Sequence, residues 1–168
     1  LRGTNLREAN LANADMDRAV LSDANLTGAN LSHANMSRVN LTGANLTNAN
    51  LTGAVLHRAQ LTHANLSGAI LDGADFYEAS LNDATLSETK LSGCIVGYTV
   101  FQNCDFSVAE GLDAVRHDAP STIGLDTLYR SGGKISDLFL RSAGALESIV
   151  EFQRGLLDVP VPSGDCFI

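Results

Sequence analysis

The stretch Asn40–Leu71, NLTGANLTNANLTGAVLHRAQLTHANLSGAIL, decides the fold. A large apolar residue falls on every fifth position, and a small residue sits two places before it. The beat runs from Leu1, Leu6, Leu11 and Met16 to Phe101 and Phe106, 22 positions of which 16 are Leu. The small site, from position 4 to position 104, is Ala in 15 of 21 cases. A fixed short period is the mark of a solenoid. On an α-helix, five steps of about 100° rotate each Leu by about 140° from the last, so no apolar stripe forms. In a strand an odd period throws successive Leu onto opposite faces. A chain that bends once in every five residues aims all of them at a common axis.

These residues resemble the pentapeptide-repeat family, whose motif A-[DN]-L-x-x stands here as Ala24-Asn25-Leu26, Ala29-Asn30-Leu31 and Ala44-Asn45-Leu46. The resemblance covers residues 1–108. It implies an all-β solenoid, a right-handed quadrilateral β-helix with four repeats to a coil. If a coil holds 20 residues, positions 20 apart stack. Met16, Met36, Phe76 and Val96, four of the six central residues that are not Leu, then share one column with Leu56. Arg18, Arg38 and Arg58 share a second column, and Asn25, Asn45 and Asn65 a third, where stacked amides could bond as a ladder. Coils spaced by about 4.8 Å make a rod roughly 25 Å long. Each of its ends would expose unpaired backbone groups.

Low aromatic content and the absence of Trp suit a narrow Leu/Ala interior. Three Cys make no disulfide framework. Cys94 and Cys104 fall on the small inward site, where a thiol acts as a slightly larger Ala. No apolar run reaches membrane length and no signal peptide is evident, so the expected setting is a bacterial cytoplasm without a membrane partner. The start at Leu1, in mid-repeat and without Met, suggests a processed or trimmed chain. The net charge of −8 is unevenly laid out. Acids cluster at Glu8–Asp23 and Asp72–Asp105, while between Ala24 and Leu71 the only ionisable residues are Arg38, Arg58 and three His.

From Asp72 the repeats degrade. Thr89, Cys94, Thr99 and Cys104 replace Ala, and Phe76, Phe101 and Phe106 replace Leu, which predicts a wider last coil whose Phe101 and Phe106 meet something other than another coil. After Val108 the beat stops. Pro120-Ser121 sets an N-cap before Ile123, Leu125 and Leu128, and Gly132-Gly133 breaks that helix. Ser136 caps a second, carrying Leu138, Phe139 and Leu140. Ala145–Arg154 forms a third, with Gly155 as its C′ stop. The segment 109–158 therefore reads as a helical cap and connector. Residues 159–168 hold the extended Val159-Pro160-Val161-Pro162 and then Asp165-Cys166-Phe167-Ile168, an apolar run like the start of a strand.

That D-x-F-I ending resembles the opening strand of TIR (Toll/interleukin-1 receptor) domains. GLDAVRHDAPSTIGLDTLYRSGG…FLRSAG resembles the connector that joins pentapeptide repeats to a TIR domain in some bacterial proteins. The resemblance implies a following domain of a class that includes NAD-cleaving enzymes of defence against phage, with NAD as substrate and the catalytic Glu beyond Ile168. Within the 168 residues no catalytic, cofactor-binding or metal-binding constellation is expected. Ser131-Gly-Gly-Lys134 fits S-x-x-K, but S-D-N and K-T-G partners are missing. His33, His57 and His63 fall on three different sides of a 20-residue coil, which separates them as metal ligands. The column Arg18, Arg38, Arg58 reads either as a grip for a phosphate or carboxylate partner or as three solvated side chains.

The leading expectation is a non-catalytic scaffold that positions or multimerises a following TIR effector. Its first coil, with Leu1, Asn5, Leu6 and Asn10, is an edge for self-association into a dimer or filament. The alternatives are a DNA mimic that binds DNA gyrase, or a structural interaction rod. A mimic of the phosphate backbone should spread acids along its length, and the coils from Ala24 to Leu71 carry none. No nucleic-acid partner is therefore expected.

Overall fold

The structure, a computed structural model, describes residues 1–157. The linker and the Asp165–Ile168 strand start lie outside the described residues. From Asn5↔Asn25 through Lys90↔Glu110, every isolated bridge joins residues 20 apart, in parallel. Four pentapeptides thus make one coil, with one bridge on each side. Ladder pairs are single bridges because the chain turns after each one.

Why this backbone is stable follows from its donors. The central residue's N–H donates to the carbonyl 19 residues on, as Leu6 does to Asn25 at 2.7 Å. The second turn residue does the same, Glu8 to Thr27 at 2.9 Å. The small inward residue closes the turn, Ala9 to Leu6 at 3.1 Å, and the next residue donates back to the preceding coil, Asn25 to Thr4 at 2.9 Å. One N–H in five is left over. Where Asn or Asp precedes the central residue, its side chain takes that N–H: Thr27 N–H donates to Asn25 Oδ1 (3.1 Å) and Tyr77 N–H to Asp75 Oδ1 (3.0 Å), whereas Val20, Val55, Gln60 and Ile70 offer no such acceptor. A buried or half-buried chain requires such pairing.

This corrects the amide ladder expected of Asn25, Asn45 and Asn65. Their Oδ1 atoms accept locally, from the N–H and hydroxyl of Thr27, Thr47 and Ser67. A vertical amide bond of useful length joins Asn35 Nδ2 to Asp15 Oδ1 at 2.9 Å, on a different side.

From Gly3 to Asn103 the second turn residue has positive φ, near +60°, as a type II turn requires. Seven of these sites are Gly; fourteen are not. Inside, Leu21 to Leu86 and the Ala between them are essentially inaccessible, whereas Leu6, Leu11 and Met16 of the first coil are half-buried.

The beat stops at Val108 as the sequence indicates, but the coil does not. Ile95–Val96 (β1) pairs in parallel with Arg116–His117 (β3), and Val100–Phe101 (β2) with Thr122–Ile123 (β4). The offset between partners grows from 20 at Lys90↔Glu110 to 21 at Ile95↔Arg116 and 22 at Val100↔Thr122. Each side gains a residue, and a 3-10 turn at Leu112–Ala114 takes up the slack. Ser121 and Ile123 therefore finish the solenoid and do not open a helix. Helix α1 runs Leu125–Arg130 after Gly124, α2 runs Asp137–Ser142, and α3 runs Glu147–Leu156. Ser136 caps α2 as read, its hydroxyl accepting from Phe139 N–H at 3.3 Å. Gly155 is inside α3 and not its stop. No helix among the described residues is long and apolar enough to cross a membrane.

Inward and outward positions should respond very differently. Leu46→Asp places a carboxylate in a fully buried site and should abolish folding, whereas Thr47→Asp forfeits one outer hydrogen bond and should cost less than about 1 kcal/mol in urea unfolding. Gly73→Ala meets no atom within 4 Å, so its loss of about 1 kcal/mol should report the positive φ alone.

Candidate interaction surfaces

Phe101 and Phe106 close the last coil, with ring centroids 5.4 Å apart. Phe139, from α2, stands over both at 6.1 and 5.7 Å. The three rings are buried, and Phe101 is also paired with Ile123 of the continuing coil. Helix α1 supplies the polar half. Thr127 Oγ1 donates to Phe101 C=O (3.0 Å) and accepts from Cys104 N–H (3.2 Å), and Ser131 Oγ accepts from Phe106 N–H (3.0 Å). Ser131 Oγ stands where a carbonyl of the next coil would accept, and Thr127 Oγ1 bridges the Cys104 N–H and Phe101 C=O that elsewhere in the repeats close the turn; both hydroxyls are wholly buried. Ser131 is thus committed to structure, and Lys134 of the S-x-x-K pattern is exposed. Cys94 and Cys104 fill the inward site with their thiols on Leu71 C=O and Leu81 C=O, and burial pushes both up to about 12.

The column Arg18, Arg38, Arg58 occupies the positive-φ turn site on one side of the coil and continues as Glu78 and Tyr98. Arg18 Nε and Arg38 Nη1 share one carboxylate, Asp17, each at 3.5 Å. Arg58 Nε donates to Glu78 Oε2 at 2.5 Å, which holds the Glu78 carboxyl below its ordinary range and the guanidinium above its own. His57 Nε2 lies 2.7 Å from Asp75 Oδ2. The rings of His57, Tyr77 and Tyr98 follow one another at 6.0 and 5.7 Å. Ser37, Arg38, His57, Arg58, Tyr77 and Glu78 line a shallow cleft. Gly97 makes room for the Tyr77 ring, since a Cβ there would stand 2.8 Å from it. With its own carboxylates in place, this side is not a bare cationic grip for phosphate.

The first coil carries Leu1, Leu6 and the outward-lying edge of Asn5 and Asn10, whose N–H groups make no hydrogen bond among the described residues. His33, His57 and His63 remain on separate sides, and no cluster of metal-ligating side chains occurs among the described residues.

The family model for pentapeptide repeats matches in overlapping segments from residue 1 to residue 107, counting 8 copies. The chain belongs to the pentapeptide-repeat family. No curated protein sequence matches it. Among solved structures, this pentapeptide-repeat chain is similar to HetL, involved in heterocyst differentiation regulation in the cyanobacterium Nostoc sp. strain PCC 7120, with 30% identity and TM-score 0.40 over 71% of this chain. It spans 61% of HetL. A pentapeptide repeat protein of the Arabidopsis thaliana thylakoid lumen is 24% identical, with TM-score 0.38 over 84% of this chain and 88% of that one. Full-length QnrB1, a plasmid-mediated fluoroquinolone resistance protein, is 14% identical, with TM-score 0.38 over 95% and 97%.

Sequence reasoning missed Thr127 and Ser131 as partners of the last coil. The i, i+4 spacing of two hydroxyls beside Leu128 was a usable signal. Ser131→Ala or Thr127→Val should each cost about 1–3 kcal/mol, because a buried N–H loses its acceptor, while Lys134→Ala should leave the unfolding curve unchanged. The folded thiols hold their protons to about 12 against an ordinary 9.0, so unfolding releases protons above pH 9. The pentapeptide-repeat rod should lose stability as pH climbs through that window, and Cys94 and Cys104 should resist a thiol reagent at about pH 8 until the chain is unfolded.

Proposed function

We propose that this pentapeptide-repeat chain is a non-catalytic scaffold, a right-handed four-sided β-helix capped at its C-terminal end by α1–α3, that positions or multimerises an effector domain. The observation that carries the reading is the seat of the helices on the last coil. Phe139 covers Phe101 and Phe106, and Thr127 and Ser131 bond the coil's edge. A connector held this firmly transmits the rod's orientation to whatever follows it. The resemblance of the connector and of Asp165–Ile168 to TIR-containing bacterial proteins supports a TIR domain as that effector. NAD would then be the substrate, antiphage defence the setting, and the bacterial cytoplasm the place.

Self-association through the first coil belongs to the same proposal. The N–H groups of Asn5 and Asn10 await a parallel partner, supplied either by preceding residues or by a second copy. The second reading is a gyrase-binding mimic of DNA. Acids on the rod support it less than their number suggests, since Asp23, Asp75, Glu78 and Asp83 each lie against a cationic or imidazole side chain.

The test is the full encoded chain. An α/β domain should follow Ile168, the protein should cleave NAD, and Phe139→Asp should uncouple that activity from the rod. A continuation with no such domain overturns the effector reading, and inhibition of gyrase supercoiling by residues 1–168 establishes the mimic in its place. Deleting Gly111 onward should leave Phe101 and Phe106 exposed, so that the shortened rod aggregates or binds a hydrophobic dye; a monodisperse, dye-silent product overturns the cap.

A further inference from the structure

The four columns of positive-φ turn sites are not alike. Three of them contain Gly together with Asn or Asp, the residues that enter the left-handed region most readily: Gly3, Asp23, Gly43; Gly28, Asn48, Gly68; Asn13, Gly53, Gly73. The fourth is Arg18, Arg38, Arg58, Glu78, Tyr98, with no Gly, Asn or Asp at any level. Every level of this side therefore bears backbone strain that a shorter residue would relieve, and strain retained in this way points to a use. The same side carries both tyrosines of the coils and three of their five arginines, the residue types that dominate binding energy at protein interfaces.

We propose that this side is the contact surface of an antiparallel, two-fold symmetric pair of rods, and that its occupant is a second copy of the chain. A two-fold axis through the level of His57 and Arg58 sets each column against itself in reverse. Arg18 then meets Tyr98 of the other copy, and Arg38 meets Glu78 of the other copy, each contact occurring twice. The first is a guanidinium over an aromatic face, and the second an ion pair. Tyr98 is 59% exposed and free to take it. Glu78 holds Arg58 through Oε2, leaving Oε1 without a hydrogen bond among the described residues. Arg58, at the axis, is already neutralised by its own Glu78. A parallel pair would instead set this column against Asp15, Asn35, Val55, Asp75 and Ile95, which gives Arg18 a carboxylate but brings Glu78 onto Asp75, two like charges, and leaves Arg38 and Arg58 facing none. The order of residues along the side thus selects the antiparallel arrangement.

Five levels at about 4.8 Å give a strip roughly 20–24 Å long and one side wide. That is well short of the ~800 Å² per partner of a standing interface, so association should be weak, in the high micromolar range. The inference is independent of the scaffold reading. In this pair the helical ends point away from each other, so it holds apart whatever follows them.

Sedimentation equilibrium of the 168-residue chain from about 10 μM to about 1 mM is the test. The chain should dimerise through this side, and any assembly beyond the dimer should vanish with Asn10→Pro. Arg38→Glu and Glu78→Arg should each weaken the dimer by about tenfold or more, because each change acts twice across the axis, and the double swap should restore most of it. Asn10→Pro, which blocks pairing at the first coil, should leave the dimer unchanged. Far-UV circular dichroism keeps the comparison to folded variants. A monomer at about 1 mM, a dimer indifferent to both single changes, or a double swap with no recovery overturns the proposal. The last two leave the scaffold reading whole, and a monomer at about 1 mM removes its first-coil self-association but not the seat of α1–α3 on the coil.

Discussion

The structure depends on closing the backbone's hydrogen bonds once every five residues. A chain that turns this often has no long ladder to satisfy its amides, so each pentapeptide must place all five N–H groups by itself. Three go to neighbouring coils and one closes the turn. The last has no backbone acceptor in reach, and where Asn or Asp precedes the central residue its side chain supplies one. The Leu/Ala interior winds the coil, and the Asn or Asp that precedes many of the central residues completes it; at Val20, Val55, Gln60 and Ile70 the coil winds without that acceptor.

The same condition explains the C-terminal end. Where the repeats end, the backbone of the coil needs other partners, and α1 supplies some of them. Ser131 gives Phe106 N–H an acceptor in place of a further coil, Thr127 bridges the turn between Phe101 C=O and Cys104 N–H, and Phe139 packs on both phenyl rings. The drift in offset from 20 to 22 residues prepares this meeting, since a coil out of step cannot accept another like itself.

How much of this was legible in the sequence varied with the range of the interaction. Period five marked the inward set, because burial repeats with the chain, while the 20-residue coil that names the stacking partners came from the family resemblance and not from the period. The role of Asn was misjudged for a local reason. Its oxygen reaches the amide two residues on more easily than the amide one coil away, so an intraturn bond displaced the expected ladder. Ser121 was read as a helix cap because Pro-Ser before apolar residues is a helix signal. The parallel pairing of Thr122 with Val100, a contact across 22 residues, overrode it. The strain in the Arg18, Arg38, Arg58 column was invisible in the same way: nothing in five-residue periodicity says which of two outward sites has positive φ. Asp165–Ile168 remains a matter of sequence alone.

The 20-residue repeat also restricts how such a gene can change length. One extra pentapeptide in the middle of the rod keeps every Leu inside and every amide paired, yet it turns everything on its N-terminal side by a quarter relative to the helices. The column that now runs Arg18, Arg38, Arg58, Glu78, Tyr98 would be split across two sides. Stability alone tolerates insertions of five residues, whereas a surface that spans coils tolerates only insertions of twenty. Rods that keep an aligned side should therefore grow or shrink in whole coils, and the length of the array becomes a record of whether its outside was under selection.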